Sequence, residues 1–192
     1  MNTEEIMDVK DWAQQTFSPC QLGDRRRSQR AVQAATHRAA NPSASLPAQQ
    51  GNGGEVIALY RLLAQPDVTF EALMQPHWQQ TREQISAQPV VLLVQDGTER
   101  DLTSHHKMTG LGPVGTGGGY GLVLQTVLAI VAESREVLGC ASQEVFVRQP
   151  IPAGETRSKR RQRAERATDV WMRLVSRSPW TGCGVTGRLA PS

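Results

Sequence analysis

The feature that most constrains the fold is a change in the spacing of apolar residues near Pro89. Before it, apolar residues recur at helical spacing, as they do across residues 6–17. After it, the run Val90–Val94 and the stretches 121–132 and 137–148 have the length and β-branched content of strands. The sequence therefore predicts an α+β fold in which helices precede a sheet.

The first 88 residues predict helices only. Asp24 is a typical N-cap for a helix over 25–40, since its carboxylate can accept a backbone N–H of the first turn. Helices over about 55–65 and 70–86 follow, the last kinked or broken at Pro76. In the third helix, the residues expected to face inward are Val56, Leu59, Tyr60 and Leu63.

The second part predicts three antiparallel strands and then a helix. Val90–Val94 is expected to be buried on both faces, in a strand that ends at Asp96. The stretches 121–132 and 137–148 are joined by a short turn, which favours an antiparallel hairpin. A helix over 160–175 follows, and its inward positions include Trp171 and Leu174.

The net charge of +3 is unevenly distributed along the chain. Residues 25–40 hold five arginines and no acid, residues 41–156 have a net charge of −5, and residues 157–192 have a net charge of +7. Arg26, Arg30, Gln33 and His37 share one face of the predicted second helix. Such a face suits a phosphate backbone, and a solvated helix surface is the alternative.

A carboxylate at the exit of a buried strand needs a metal, a cation or solvent, because a buried unpaired charge is costly. This makes Asp96 the candidate for metal chemistry, although one carboxylate alone binds Mg²⁺ weakly. Glu99 and Asp101 are local alternatives, which a solvated strand end also explains. The glycine-rich run 115–119 has no GK[ST] and no following helix, so it predicts a flexible loop rather than a phosphate site.

The cysteines and the apolar content argue against a disulfide-bonded, zinc-binding or membrane protein. Cys20, Cys140 and Cys183 are odd in number and widely spaced, which predicts neither a disulfide framework nor a zinc site. The chain has no long apolar run and an acidic start, so we expect a cytoplasmic protein with no membrane partner.

Several motifs in this order carry a resemblance to a known family. They are Asp11-Trp12-Ala13, Leu22-Gly23-Asp24 with Arg26-Arg27 and Arg30, Ala58-Leu59-Tyr60-Arg61-Leu62-Leu63, Leu92 to Asp96 with Thr98-Glu99, and Val137-Leu138-Gly139 with Gln143. Over residues 8–175 the chain resembles the N-terminal part of bacterial cut-and-paste transposases of the transposon-five type, in the insertion-sequence-four group.

The resemblance implies a domain organisation and a set of site residues. It implies a helical DNA-binding domain over 1–66, a helical connector over 67–88, and the first half of a ribonuclease-H-like catalytic domain over 89–175. Residues 176–192 follow as a tail without pattern. Asp96 matches the first carboxylate of the family's Asp-Asp-Glu triad, which holds Mg²⁺. The residues that match the basic helix gripping the transposon end are Arg26, Arg27 and Arg30.

The implied partner is duplex DNA at transposon terminal inverted repeats in the bacterial nucleoid, bound as a dimer if another chain completes the domain. Departures from the family also matter: Gly97, Arg100, Gln125 and Phe146 differ from its pattern, and no Asp or Glu follows Asp169. We therefore expect a truncated or frameshifted transposase that lacks strand-cleavage activity. The alternatives are a repressor that occupies transposon ends without cutting them and a fragment with no activity.

Overall fold

The computed structural model describes residues 8–150, 152, 154–156, 158–159 and 167–177. Its helices are α1 Val9–Phe17, α2 Arg25–Ala40, α3 Gly53–Leu63, α4 Phe70–Ser86 and α5 Ala167–Arg177, and its strands are β1 Val91–Asp101, β2 Gly112–Val114, β3 Gly119–Val131 and β4 Val137–Phe146. Helices followed by an antiparallel sheet confirm the α+β class. The ribonuclease-H-like assignment and the domain limits at 66, 88 and 175 stay predictions.

The chain divides into two compact units, Met1–Glu83 and Gln84–Ser192. The core of the first unit consists of side chains from helices and from the segments between them. The buried members are Cys20, Leu22, Ala31, Leu62 and Val68, with Phe17, Ala72 and Leu73 packed against them. The short loops that carry Cys20, Leu22 and Val68 thus contribute as much to this core as the helices do.

The inward face of α3 differs from the predicted one. Leu59 and Leu62 are buried, whereas Tyr60 and Leu63 are 51% and 46% exposed. The predicted stripe is therefore wrong at two positions, because almost every side chain of this helix is apolar and the spacing alone does not select a face. Helix α4 continues through Pro76, so the helix is not broken there.

Strand β3 lies at the centre of the sheet. It pairs antiparallel with β1 from Val91↔Val131 to Asp101↔Gly121 and, on its other side, with β4 and then β2. The predicted β3–β4 hairpin is confirmed. Strand β2 was not predicted, because its three residues hold a single large apolar side chain and form a strand only by pairing with β3.

One face of the sheet is covered and the other is open in the described part of the chain. The covered face packs Val127, Ala129 and Ala141 against Ile85 and against Val170 and Leu174 of α5. On the open face, Leu92 and Val94 of β1 are 51% and 45% exposed.

The expectation that β1 is buried on both faces is therefore wrong, and its burial alternates over residues 91–96. An apolar run predicts a strand, but its burial depends on what packs against each face. Strand β1 also continues to Asp101, so Asp96 lies within the strand rather than at its end.

Helix α5 buries Val170 and Leu174, whereas Trp171, which was expected to face inward, is 38% exposed. The predicted start of this helix at residue 160 and the part of the unpatterned tail from residue 178 lie outside the described residues. None of the helices in the described ranges has the length and apolar character needed to cross a membrane.

Candidate nucleic-acid interface

Helix α2 is held with one side against the core of the first unit. Ser28 and Ala31 are buried on that side, and the Ser28 hydroxyl donates to the carbonyl of Cys20 at 2.8 Å. At the start of the helix, the predicted N-cap is confirmed, since Asp24 Oδ1 accepts the backbone N–H of Arg26 at 2.7 Å. With Ser28 and Ala31 inward, the opposite side of α2 faces solvent.

The motif Leu22-Gly23-Asp24 sets the position of this helix. Leu22 is 1% exposed within the core. Gly23 has a φ of +76°, which strains other residues, and a Cβ there would lie 2.7 Å from Oδ2 of Asp67, so glycine is strongly favoured. The motif therefore combines a core anchor, a tight left-handed turn and a helix cap in three consecutive residues.

Arg27 is engaged by neighbouring protein groups. Its guanidinium donates to the Leu22 carbonyl at 3.0 Å, to Asp67 Oδ2 at 2.8 Å and to Gln65 Oε1 at 2.9 Å. These contacts connect the start of α2 to the segment after α3. The structure therefore places Arg27 where it fixes the helix, and its predicted contact with DNA stays a prediction.

The predicted cationic face of α2 includes an acid supplied by α3. Arg30 Nη1 donates to Gln33 Oε1 at 2.8 Å, and Gln33 Nε2 donates to Glu55 Oε1 at 2.9 Å. His37 Nδ1 lies 3.8 Å from the other oxygen of Glu55. The C-terminal half of the face is thus partly neutralised, which the sequence could not indicate because Glu55 is far from α2 along the chain.

The N-terminal half of α2 keeps its positive charge accessible. Arg25 and Arg26 are exposed and Arg30 is partly exposed, one turn after Arg26. Arg25 belongs to the same arginine triplet but was not among the predicted DNA-binding residues. The accessible arginines in the N-terminal half of α2 are therefore Arg25, Arg26 and Arg30, which we call the α2 arginine patch.

A comparison with protein families finds a match that falls within this unit. Residues 9–68 match the Transposase DNA-binding family. The match begins at the first residue of α1 and ends at Val68, a member of the first unit's core. It covers less than half of the chain and supports a transposase N-terminal DNA-binding domain in the first unit.

Asp96, the predicted metal ligand, lies on the open face of the sheet in the second unit. It is exposed, its register partner is Thr126, and one of its oxygens accepts the N–H of Gly97 at 2.8 Å. Solvent therefore hydrates this carboxylate, and burial does not explain its presence.

The described residues do not assemble a site for Mg²⁺ around Asp96. No group of three or more His, Cys, Asp or Glu side chains within the described ranges is placed to hold a metal ion. Mg²⁺ retains most of its waters unless several oxygen ligands converge. We therefore derive no strand-cleavage step from this position, and its role as a metal ligand stays a prediction.

Glu99 and Asp101 line an open pocket of about 350 Å³ together with glycines of the loop between β2 and β3. Glu99 Oε2 accepts the N–H of Gly115 at 2.6 Å, and its other oxygen pairs with Arg148. The hydrogen bond from Gly115 and then the contact with Arg148 lower the pKa of Glu99. The glycine loop thus presents this N–H to a carboxylate of the chain itself.

Proposed function

We propose that this chain binds duplex DNA through its first unit in the manner of a transposase DNA-binding domain. The observation that carries the proposal is the match of residues 9–68 to that family. The α2 arginine patch supports it independently. Clustered guanidinium groups on an accessible helix end neutralise phosphates and release counterions, which favours binding.

Arg26 and Arg30 contact the phosphate backbone in this proposal, and Arg25 extends the contact at the start of α2. Arg27 acts as a positioning residue, because its donors are engaged by Leu22, Gln65 and Asp67. Planar guanidinium groups suit phosphate oxygens, since two parallel N–H bonds can form.

The target that we propose is the terminal inverted repeat of a transposon, following the resemblance to the transposon-five type. In this proposal the chain occupies this DNA without cutting it, because Asp96 is the one residue that matches the triad of three carboxylates in the transposases that the chain resembles. A protein that binds transposon ends and does not cleave them represses transposition by competing with an active enzyme for those ends.

The test is a titration of the full chain into a fluorescein-labelled duplex by fluorescence anisotropy at several salt concentrations. We expect Arg26→Ala and Arg30→Ala each to weaken binding and to reduce the salt slope by about 1, as the loss of one phosphate contact does. Arg38→Ala is the matched control: Arg38 is exposed on the same helix, about 18 Å along the axis from Arg26.

Arg27→Ala separates positioning from contact. It is expected to lower the free energy of unfolding of the first unit by about 1 kcal/mol, the net worth of its partly exposed hydrogen bonds, while the salt slope stays unchanged. Equal affinities of the wild-type chain and the Arg26→Ala, Arg30→Ala double variant would overturn the assignment of the patch. Cleavage of the duplex by the chain with Mg²⁺ or Mn²⁺ would overturn binding without cutting.

A further inference from the structure

The outer edge of β1 is a second surface of the chain with a defined chemistry. Strand β1 is 11 residues long and pairs along its whole length with β3 on one side. On its other side, no strand within the described ranges pairs with it. An edge of this length carries a row of backbone donors and acceptors that can pair with another strand.

The register with β3 shows which residues direct their backbone groups outward. Val90 O accepts the N–H of Ala132 at 3.3 Å, and Leu102 N donates to Tyr120 O at 2.8 Å. In an antiparallel ladder the backbone groups alternate in direction. The even-numbered residues of β1 therefore bond to β3, and the odd-numbered residues from Val91 to Asp101 direct N–H and C=O groups to the outer edge. Among them, the N–H of Gly97 donates to Oδ1 of the neighbouring Asp96 in the single chain, a local bond that pairing with a second strand replaces.

The charged side chains of β1 favour a second copy of the same strand as the partner of this edge. Asp96 and Arg100 are exposed on the same face of the strand, four residues apart. Within the described residues, the structure gives Arg100 no ion pair. If two copies of β1 pair antiparallel about a twofold axis through Thr98, each Asp96 lies directly opposite the Arg100 of the other copy.

This register also satisfies the backbone and avoids repulsion. It brings Gly97 opposite Glu99 and Gln95 opposite Asp101, so that odd-numbered residues hydrogen-bond with odd-numbered residues, as the outer edge requires. Centring the axis on residue 96 or residue 100 would instead place two like charges directly opposite each other, which is destabilising.

We propose that two copies of this chain associate through their β1 edges, antiparallel and centred on Thr98, to form a continuous sheet across the twofold axis. The paired side chains on its open face are the Asp96 and Arg100 of opposite copies. The association requires no DNA, so its test is independent of the proposed function.

The test measures the dissociation constant of the dimer by sedimentation velocity of the full chain. The interface contains two symmetric pairs of residues 96 and 100. Arg100→Asp turns each pair into two carboxylates, and Asp96→Arg turns each pair into two guanidinium groups. Each substitution is expected to raise the dissociation constant at least about tenfold. The charge-exchanged double variant Asp96→Arg, Arg100→Asp is expected to restore dimerisation, because opposite charges face each other again.

The matched control is Lys107→Asp, which makes the same change of charge at an exposed residue outside the strand, and it is expected to leave the dissociation constant unchanged. A wild-type chain that stays monomeric at every concentration would overturn the proposal. So would a dimer unaffected by Arg100→Asp, or a double variant as weak as the single ones.

A disulfide test fixes the register without relying on charge. In a non-hydrogen-bonded antiparallel pair the Cα atoms lie about 4.5 Å apart, within the range that a disulfide spans. Thr98→Cys is therefore expected to link two copies under mild oxidation, with the linked peptide identified by mass spectrometry. Val94→Cys, at another exposed position of the same face whose two copies would lie about 27 Å apart along the strands, is expected not to link. Equal linkage of both variants, or linkage of neither, would overturn the register.

Discussion

Gly97 and Gln125, two of the predicted departures from the transposases that the chain resembles, lie against each other in the structure. They are register partners between β1 and β3. A Cβ on Gly97 would lie 2.9 Å from Oε1 of Gln125, whose side chain is 1% exposed and therefore has little room to move. The missing side chain at residue 97 thus makes room for the amide at residue 125.

Gly97→Ala is expected to lower the free energy of unfolding of the second unit by about 1–2 kcal/mol, because the new methyl group would crowd the buried side chain of Gln125. In a chain that also carries Gln125→Ala, the same substitution is expected to cost less, because the opposing oxygen is gone. Urea unfolding of the four chains gives the coupling free energy. Strictly additive effects of the two substitutions would contradict a direct contact.

Sequence alone predicts those residues whose role depends on their neighbours along the chain. Asp24 was predicted as a cap because its acceptor role involves a residue two positions later. The position of Arg27 was not predictable, since its partners Gln65 and Asp67 lie 38 and 40 residues away. An arginine in a basic cluster has the same sequence pattern whether it binds DNA or fixes the helix.

At the scale of an element, Glu99 connects β1 to the loop that follows β2. Its carboxylate accepts the N–H of Gly115, and this bond and Arg148 hold the pKa of Glu99 below its ordinary value of 4.5. A lowered pKa means that the contact stabilises the fold above the unfolded-state pKa and is lost as the pH falls through the folded-state pKa. The Gly115 contact is thus present at neutral pH and lost in acid.

The chemical shift of the Gly115 amide is expected to titrate with a midpoint below 4.5. Glu99→Gln retains an acceptor but cannot ionise, so the Gly115 shift of that variant is expected to be flat over the same range. An NMR pH titration of both chains measures this directly. A midpoint at or above the ordinary value, or a titration that persists in Glu99→Gln, would contradict the contact.

The spacing of apolar residues predicted elements better than it predicted their surroundings. Helix α2 and the β3–β4 hairpin were predicted because their patterns are local. The exposed side of α3 and the open face of β1 were not, because an all-apolar stretch contains no information on which side another element covers. For the same reason the sequence placed Asp96 at the end of a strand buried on both faces, whereas it is exposed within the strand.

At the scale of the whole molecule, the two units have separate cores. The first is built around Cys20, Leu22 and Ala31, and the second packs the sheet against Ile85 and α5. As described, the two clusters share no residue. Each core buries its own apolar surface, so we expect each unit to have its own free energy of unfolding.

Leu22→Ala and Leu174→Ala test this separation, since both side chains are fully buried, 1% and 2% exposed, in different cores. Each is expected to cost about 2–4 kcal/mol, the usual penalty for a cavity of this size. Hydrogen exchange is expected to accelerate in α2 and α3 after the first substitution and in β3 and β4 after the second. Because the proposed DNA contacts lie in the first unit, Leu174→Ala is expected to leave the affinity for duplex DNA unchanged, whereas Leu22→Ala weakens it at temperatures where the first unit begins to unfold. If either substitution accelerated exchange equally in both units, the chain would unfold as one cooperative body and the separation would be wrong.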